Sequence, residues 1–199
     1  MSPLTMIEGK MRYLILLLLL LPSVAVAEHM GYETVGTADD HSIDSYVRYN
    51  GFTMTEDGTL DSLVVYIVQC GGACYQDVKL GLYSNDGGDP GDLLDQTAAF
   101  NPTENTWNQH AVLTGVSLTS GTTYWIAGIA EDIDPEIPYN ELGTELYEND
   151  NNGWSWPNLP DPAIPDGSSS HRTYSWYAVY TPTGGDESDT PVIMIHGED

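Results

Sequence analysis

Leu60-Asp61-Ser62-Leu63-Val64-Val65-Tyr66-Ile67-Val68-Gln69 decides the fold class. The run is rich in β-branched residues and apolar at both odd and even positions, which suits a strand covered on both faces. After Gly71-Gly72, the stretch Val78-Lys79-Leu80-Gly81-Leu82-Tyr83 alternates, turning Val78, Leu80 and Leu82 toward one core face. The two runs read as a hairpin. Thr122 to Ala130 (TTYWIAGIA) is another strong strand, and Leu93–Ala99 and Trp107–Leu113 are shorter candidates. Ser84 to Gly91 (SNDGGDPG) reads as a loop. Arg172 to Thr181 alternates aromatics, with Tyr174, Trp176 and Tyr180 on one face. A polar, Asn- and Pro-rich stretch from Asp132 to Ser170 holds a weaker strand signal at Leu142–Tyr147. No segment keeps a helical period. Short strands separated by turn residues about every 8–12 positions predict an all-β protein, a single antiparallel β-sandwich of the jelly-roll type.

Upstream of this pattern lies a different kind of segment. Lys10 and Arg12 precede an apolar run from Leu14 to Leu21, and Ala25-Val26-Ala27 follows. This is the layout of a secretory signal peptide cleaved after Ala27. The run is short for a membrane span, which takes roughly 20 apolar residues. Residues 1–27 are therefore read as signal peptide and 28–182 as the sandwich domain, with 132–170 as its polar insert. Residues 183–199 form an acidic linker ending in the apolar strand Val192–Ile195. No second long apolar run follows, so the mature chain is expected to be soluble, and secreted or held at the cell surface.

The chain carries 30 acidic and 5 basic side chains. Loss of Glu8, Lys10 and Arg12 with the leader leaves 29 against 3, a net charge of −26. Such a surface repels nucleic acid and anionic lipid, which excludes both as partners. The acids spread along the whole chain as a solvated shell, and they also offer oxygen ligands to hard cations. Thirteen Tyr and five Trp, set among strand-like runs of Val, Ile and Leu, supply a core that a disordered acidic chain would lack. Cys70 and Cys74 are the two cysteines. In an exported chain they are expected to form one short disulfide across Gly71-Gly72-Ala73. A zinc site would need further ligands nearby.

The pattern Gly58-x-Leu60-x-Ser62-Leu63-x-Val65-Tyr66, then Val78-x-Leu80-Gly81-Leu82-Tyr83-Ser84, then Asp86-Gly87-Gly88-x-Pro90-Gly91-x-Leu93-Leu94, then Trp107, then Leu118-Thr119-Ser120-Gly121-Thr122-x-Tyr124-Trp125-Ile126-Ala127 has a familiar order. It resembles a broad group of secreted or cell-surface jelly-roll β-sandwich domains that are compared with carbohydrate-binding modules. The resemblance covers about Gly51 to Ala130, with Tyr177–Pro182 as the closing strand. It implies the fold and an extracellular binding or structural role, and it brings no shared catalytic motif.

Two acidic clusters could hold calcium. Glu148-Asn149-Asp150-Asn151-Asn152-Gly153 puts oxygen side chains at alternate positions before a glycine, like the first half of a calcium loop, with Glu148, Asp150 and Asn152 as ligands. Leu159 stands at the twelfth position, where such a loop needs a bidentate acid, and an Asn-rich turn explains the same residues. Asp86, Asp89 and Asp92 form the second cluster, in a Gly- and Pro-rich setting that also describes a plain turn. Trp154 and Trp156 lie two apart and would share one face of an extended segment. They could stack on sugar rings, with Asn152 bonding hydroxyls, or cap the core as buried aromatics usually do. Trp107, Tyr124, Trp125 and Trp176, on strands, are expected in the core. His29, His41, His110, His171 and His196 are scattered, and no nucleophile elbow, zinc-protease or phosphate-loop motif is present. The reading is a non-catalytic extracellular binding domain for a glycan or cell-surface polymer. The alternative is a structural subunit of a surface layer or filament, self-associating through Val192–Ile195. An acidic secreted hydrolase ranks third.

Overall fold

A computed structural model describes residues 26–70, 74, 76–132, 135–143, 145–149, 153–169 and 171–183. The residues before Val26, expected as signal peptide, lie outside the described residues, as do Asp150, Asn152 and the segment Val192–Ile195, expected as a strand. Every element within them is a β-strand. In chain order these are β1 (Glu28–Gly31), β2 (Ala38–Asp40), β3 (Tyr46–Thr53), β4 (Gly58–Ile67), β5 (Val78–Asp86), β6 (Asp89–Gln96) and β7 (Thr106–Ala111). β8 (Ser117–Leu118), β9 (Thr123–Ala130), β10 (Ile137–Glu141), β11 (Glu145–Asn149), β12 (Gly167–Ser169), β13 (Arg172–Tyr174) and β14 (Trp176–Pro182) follow. One sheet has the order β1-β14-β4-β7, with β8 also on β4. The second is β12-β11-β3-β9-β5-β6, and a small third sheet is β13-β10-β2. All named strand pairs are antiparallel. The expectation of an all-β sandwich is met.

The core follows from alternation. Tyr124, Ile126 and Ala130 of β9 join Leu80 and Leu82 of β5 in facing Leu63, Val65 and Ile67 of β4 and Trp176, Ala178 and Tyr180 of β14. Trp176 is fully buried and lies over Gly128, where an added Cβ would stand 3.1 Å from its ring. Gly128 therefore sets how closely the two sheets approach. The opposite residues of β9, namely Trp125, Ala127 and Ile129, point to the other side of the six-stranded sheet. There they meet Val47, Tyr49 and Tyr83 under Trp154 and Leu159. β9 is covered on both faces, as its sequence requires.

Two local readings change. β4 and β5 are not a hairpin, because they lie in different sheets. The chain between them crosses from one layer to the other, and the Cys70–Cys74 disulfide sits on that crossover. Strand period cannot report which sheet a strand joins. The SNDGGDPG segment is not a long loop either. β5 and β6 continue through it and turn at Gly87 and Gly88, whose φ angles of 64° and 110° suit a two-residue hairpin turn. The 132–170 segment is woven into the fold, giving β10 to the small sheet and β11 and β12 to the edge of the six-stranded one.

A buried ionic cluster joins the small sheet to the six-stranded one. Arg48 of β3 lies 3.2 Å from Asp40 of β2 and 2.8 Å from Glu145 of β11. Arg172 of β13 approaches the same two acids at 3.0 and 3.8 Å. The Tyr174 hydroxyl donates to Asp40 at 2.5 Å, and Ser42 caps the other carboxylate oxygen. Burial alone would raise the Asp40 pKa. The Arg48 charge and the bonds from Ser42 and Tyr174 more than offset this and hold it below the ordinary carboxylate value.

Candidate functional site

The outer face of the six-stranded sheet is closed by the segment Gly153–Asp166. It is tied down along its length by hydrogen bonds. The Lys79 ammonium donates to the Pro157 carbonyl at 3.0 Å, and the Tyr83 hydroxyl donates to Pro160 at 2.9 Å. Leu93 N–H donates to the Asp161 carboxylate, Ala163 N–H to Gly91, and Ile164 N–H to Glu148. Apolar contacts of Trp154, Leu159, Trp156 and Ala163 fill the space beneath. Trp154 is 7% exposed, so its rings belong to the second core cluster, while Trp156 is partly buried against it. The segment is not extended: Ser155 and Asn158 bridge across a turn through Trp156.

A cavity of about 330 Å³ opens beside this segment, walled by Trp154, Leu159, Pro160, Pro162 and Ile164, with Glu148, Ser155, Asn158 and Asp161 as its polar members. Glu148 is 1% exposed. Its Oε2 accepts from the Tyr49 hydroxyl at 3.0 Å and from Ile164 N–H at 2.8 Å. Burial raises the Glu148 pKa, the Ile164 and Tyr49 bonds lower it, and the charge of Asp166 raises it again; the net shift is upward. A folded-state pKa above the unfolded value means the carboxyl adds stability at low pH and loses that contribution as pH rises through the folded value. Gln at this position keeps an acceptor for both donors. Glu148→Gln should therefore gain in melting temperature over the parent as pH rises from about 4 to 8. A gap that stays flat or shrinks in differential scanning calorimetry would remove the case for a disfavoured carboxylate.

Of the expected calcium ligands Glu148, Asp150 and Asn152, Glu148 alone lies among the described residues. Glu148 faces the covered side of the sheet and spends one oxygen on Tyr49 and Ile164. Asp86, Asp89 and Asp92 are all exposed at the tip of the β5–β6 hairpin. Asp86 and Asp92, but not Asp89, line a second hollow of about 460 Å³ with Ser84, Asn85 and Pro162. Cys70 and Cys74 are bonded to each other, and Glu104 accepts from the Cys70 N–H, so that trio offers no thiolate to a metal.

The five-stranded sheet is different on its outer side. Tyr66 of β4, Trp107 of β7 and Tyr177 of β14 are half-buried and His29 of β1 is exposed. Their rings follow one another across the strands. Tyr66 to Trp107 is 5.3 Å between centroids, Trp107 to Tyr177 is 5.2 Å, and Tyr177 to His29 is 4.8 Å. Gln109 donates to Ser62 beside them, and His29 pairs with Glu33 at 2.8 Å. Register explains the strip: Tyr66 is opposite Trp107, and Tyr177 is opposite Val64. All four aromatics fall on the parity that faces away from the core. Sequence reasoning put Trp107 in the core, because alternation distinguishes two faces without showing which one is covered. No family model matches this chain, and no curated protein matches it.

Proposed function

We propose that this protein is a non-catalytic, extracellular glycan-binding domain, released by cleavage of its leader after Ala27. The observation that supports the reading is the row of Tyr66, Trp107, Tyr177 and His29 on a sheet face with its aromatic rings partly open to solvent. Aromatic rings present a broad apolar face with a polar edge. Such a face suits the C–H surface of a sugar ring, while the exposed Gln109 amide and the tyrosine hydroxyls can bond its hydroxyl groups. The stacking role first given to Trp154 and Trp156 passes to this strip, since Trp154 is enclosed. The sequence resemblance to carbohydrate-binding-module-like sandwiches points the same way, as does a disulfide in a chain with an export leader.

Trp107→Ala and Tyr177→Ala should each weaken retention on the best ligand of a glycan array by about tenfold or more, as for loss of a central aromatic contact. The far-ultraviolet spectrum should stay that of the parent, because neither side chain belongs to the core. The proposal fails if the parent binds no glycan, or if both variants are retained as well as the parent.

A further inference from the structure

Glu148 lies in a cavity without a protein cation to meet it. Both of its hydrogen bonds fall on Oε2, from Tyr49 and Ile164, and among the described residues Oε1 makes none. The residue is buried yet forms part of the cavity lining, so Oε1 is the atom it offers to an occupant. Asp161 adds a second carboxylate at the rim, with Oδ1 held by Leu93 N–H. Among the described residues, no Lys, Arg or His lines the cavity. The three basic side chains of the described residues are engaged elsewhere: Arg48 and Arg172 with Asp40 and Glu145, and Lys79 with the Pro157 carbonyl.

The remaining walls are apolar. The Trp154 indole, Leu159, two prolines and Ile164 surround the carboxylates. A calcium ion takes six to eight oxygen ligands, whereas the described lining offers four polar side chains among five apolar ones. A cation with an organic skin fits both halves of the lining. Its charge meets the carboxylates and the indole face, and its methylenes or methyls meet Leu159 and the prolines. A volume of about 330 Å³ is at the small end of ligand pockets.

We propose that this cavity is a binding site for a small organic ammonium ion, with Glu148 Oε1 and Asp161 as counter-charges and Trp154 as the aromatic wall. The site lies on the opposite sheet from the aromatic strip, and it stands or falls independently of the glycan reading.

Choline chloride, titrated into the intact protein by isothermal calorimetry at constant ionic strength, tests the assignment. Sodium chloride and calcium chloride serve as the comparison titrants. Choline should bind saturably at one site per chain. Glu148→Gln, which keeps acceptors for Tyr49 and Ile164, should weaken it by about tenfold or more. Asp161→Asn keeps an acceptor for Leu93 and gives the same readout on the rim should the first variant fold poorly. Trp107→Ala should leave choline binding unchanged, which separates this site from the glycan surface. The proposal is overturned by any of three results: no saturable heat with choline, equal saturation with calcium alone, or unchanged choline affinity in the carboxamide variants.

Discussion

Glu145→Ala should destabilise the domain by about 3–5 kcal/mol, the usual range for removing one partner from a buried ion pair. Glu145 is fully buried and lies between both arginines of the cluster. Its loss leaves two guanidinium groups against the single carboxylate of Asp40; Arg172 keeps some contact with water, but Arg48 is enclosed and water cannot restore its balance. The cost is then the desolvation of an uncompensated charge. Urea unfolding should show a lower midpoint with an unchanged slope. Replacing Arg48 and Glu145 together by Met and Leu should cost less than Glu145→Ala, since an apolar pair removes both charges at once. A single-variant loss under about 1 kcal/mol would mean that the cluster is hydrated and energetically like a surface pair. The same cluster sets an acid limit. Asp40 has a lowered folded-state pKa, so the stability it contributes is complete above about pH 4 and falls away as pH drops through that lowered value.

Asp95→Ala should cost about 2–4 kcal/mol, for a different reason. Asp95 is 5% exposed and accepts from four backbone N–H groups and a hydroxyl. These are Gln96 at 2.8 Å, Leu113 at 3.2 Å, Thr114 at 3.3 Å with its hydroxyl at 2.9 Å, and Gly115 at 2.7 Å. The donors from Leu113 to Gly115 belong to the turn leaving β7, while Asp95 is on β6. One carboxylate thus clasps the margins of the two sheets. Gly115 has φ of 77°, a conformation that glycine adopts most readily and that the clasp holds in place. Truncation leaves the Thr114 and Gly115 N–H groups without this acceptor, whereas Leu113 keeps a second one in Gln96. Asn at position 95 should fall between the two, with one oxygen retained. Hydrogen exchange at Thr114 and Gly115 would report the loss directly. Protection at those two amides equal to the parent's in Asp95→Ala would disprove the clasp.

The strands legible in the sequence are those whose partners are apolar. β5 and β14 could be read from alternation, and β4 and β9 from continuous apolar runs, because each meets a hydrophobic layer. β3 escaped for the opposite reason. Val47 and Tyr49 face one core, but Arg48 and Asn50 alternate with them and face the ionic cluster, so the segment reads as polar. Asp95 was invisible among so many acids, since nothing local marks one carboxylate as enclosed. The aromatic strip needed register as well: Tyr66 and Trp107 are 41 positions apart and meet only because β4 and β7 pair. Trp154 and Trp156 stood out by proximity, yet proximity in a turn carried Trp154 inward.

The placement of the basic residues has an outcome for proteolysis. An enzyme that cuts after Arg or Lys meets three targets in the described chain, Arg48 and Lys79 inside paired strands and Arg172 at the first position of the paired strand β13. A strand held in a sheet cannot enter a protease cleft, so scission waits for the domain to open and tracks its unfolding equilibrium. A domain built this way withstands trypsin-like attack because its few cleavable bonds are locked in its own ladders.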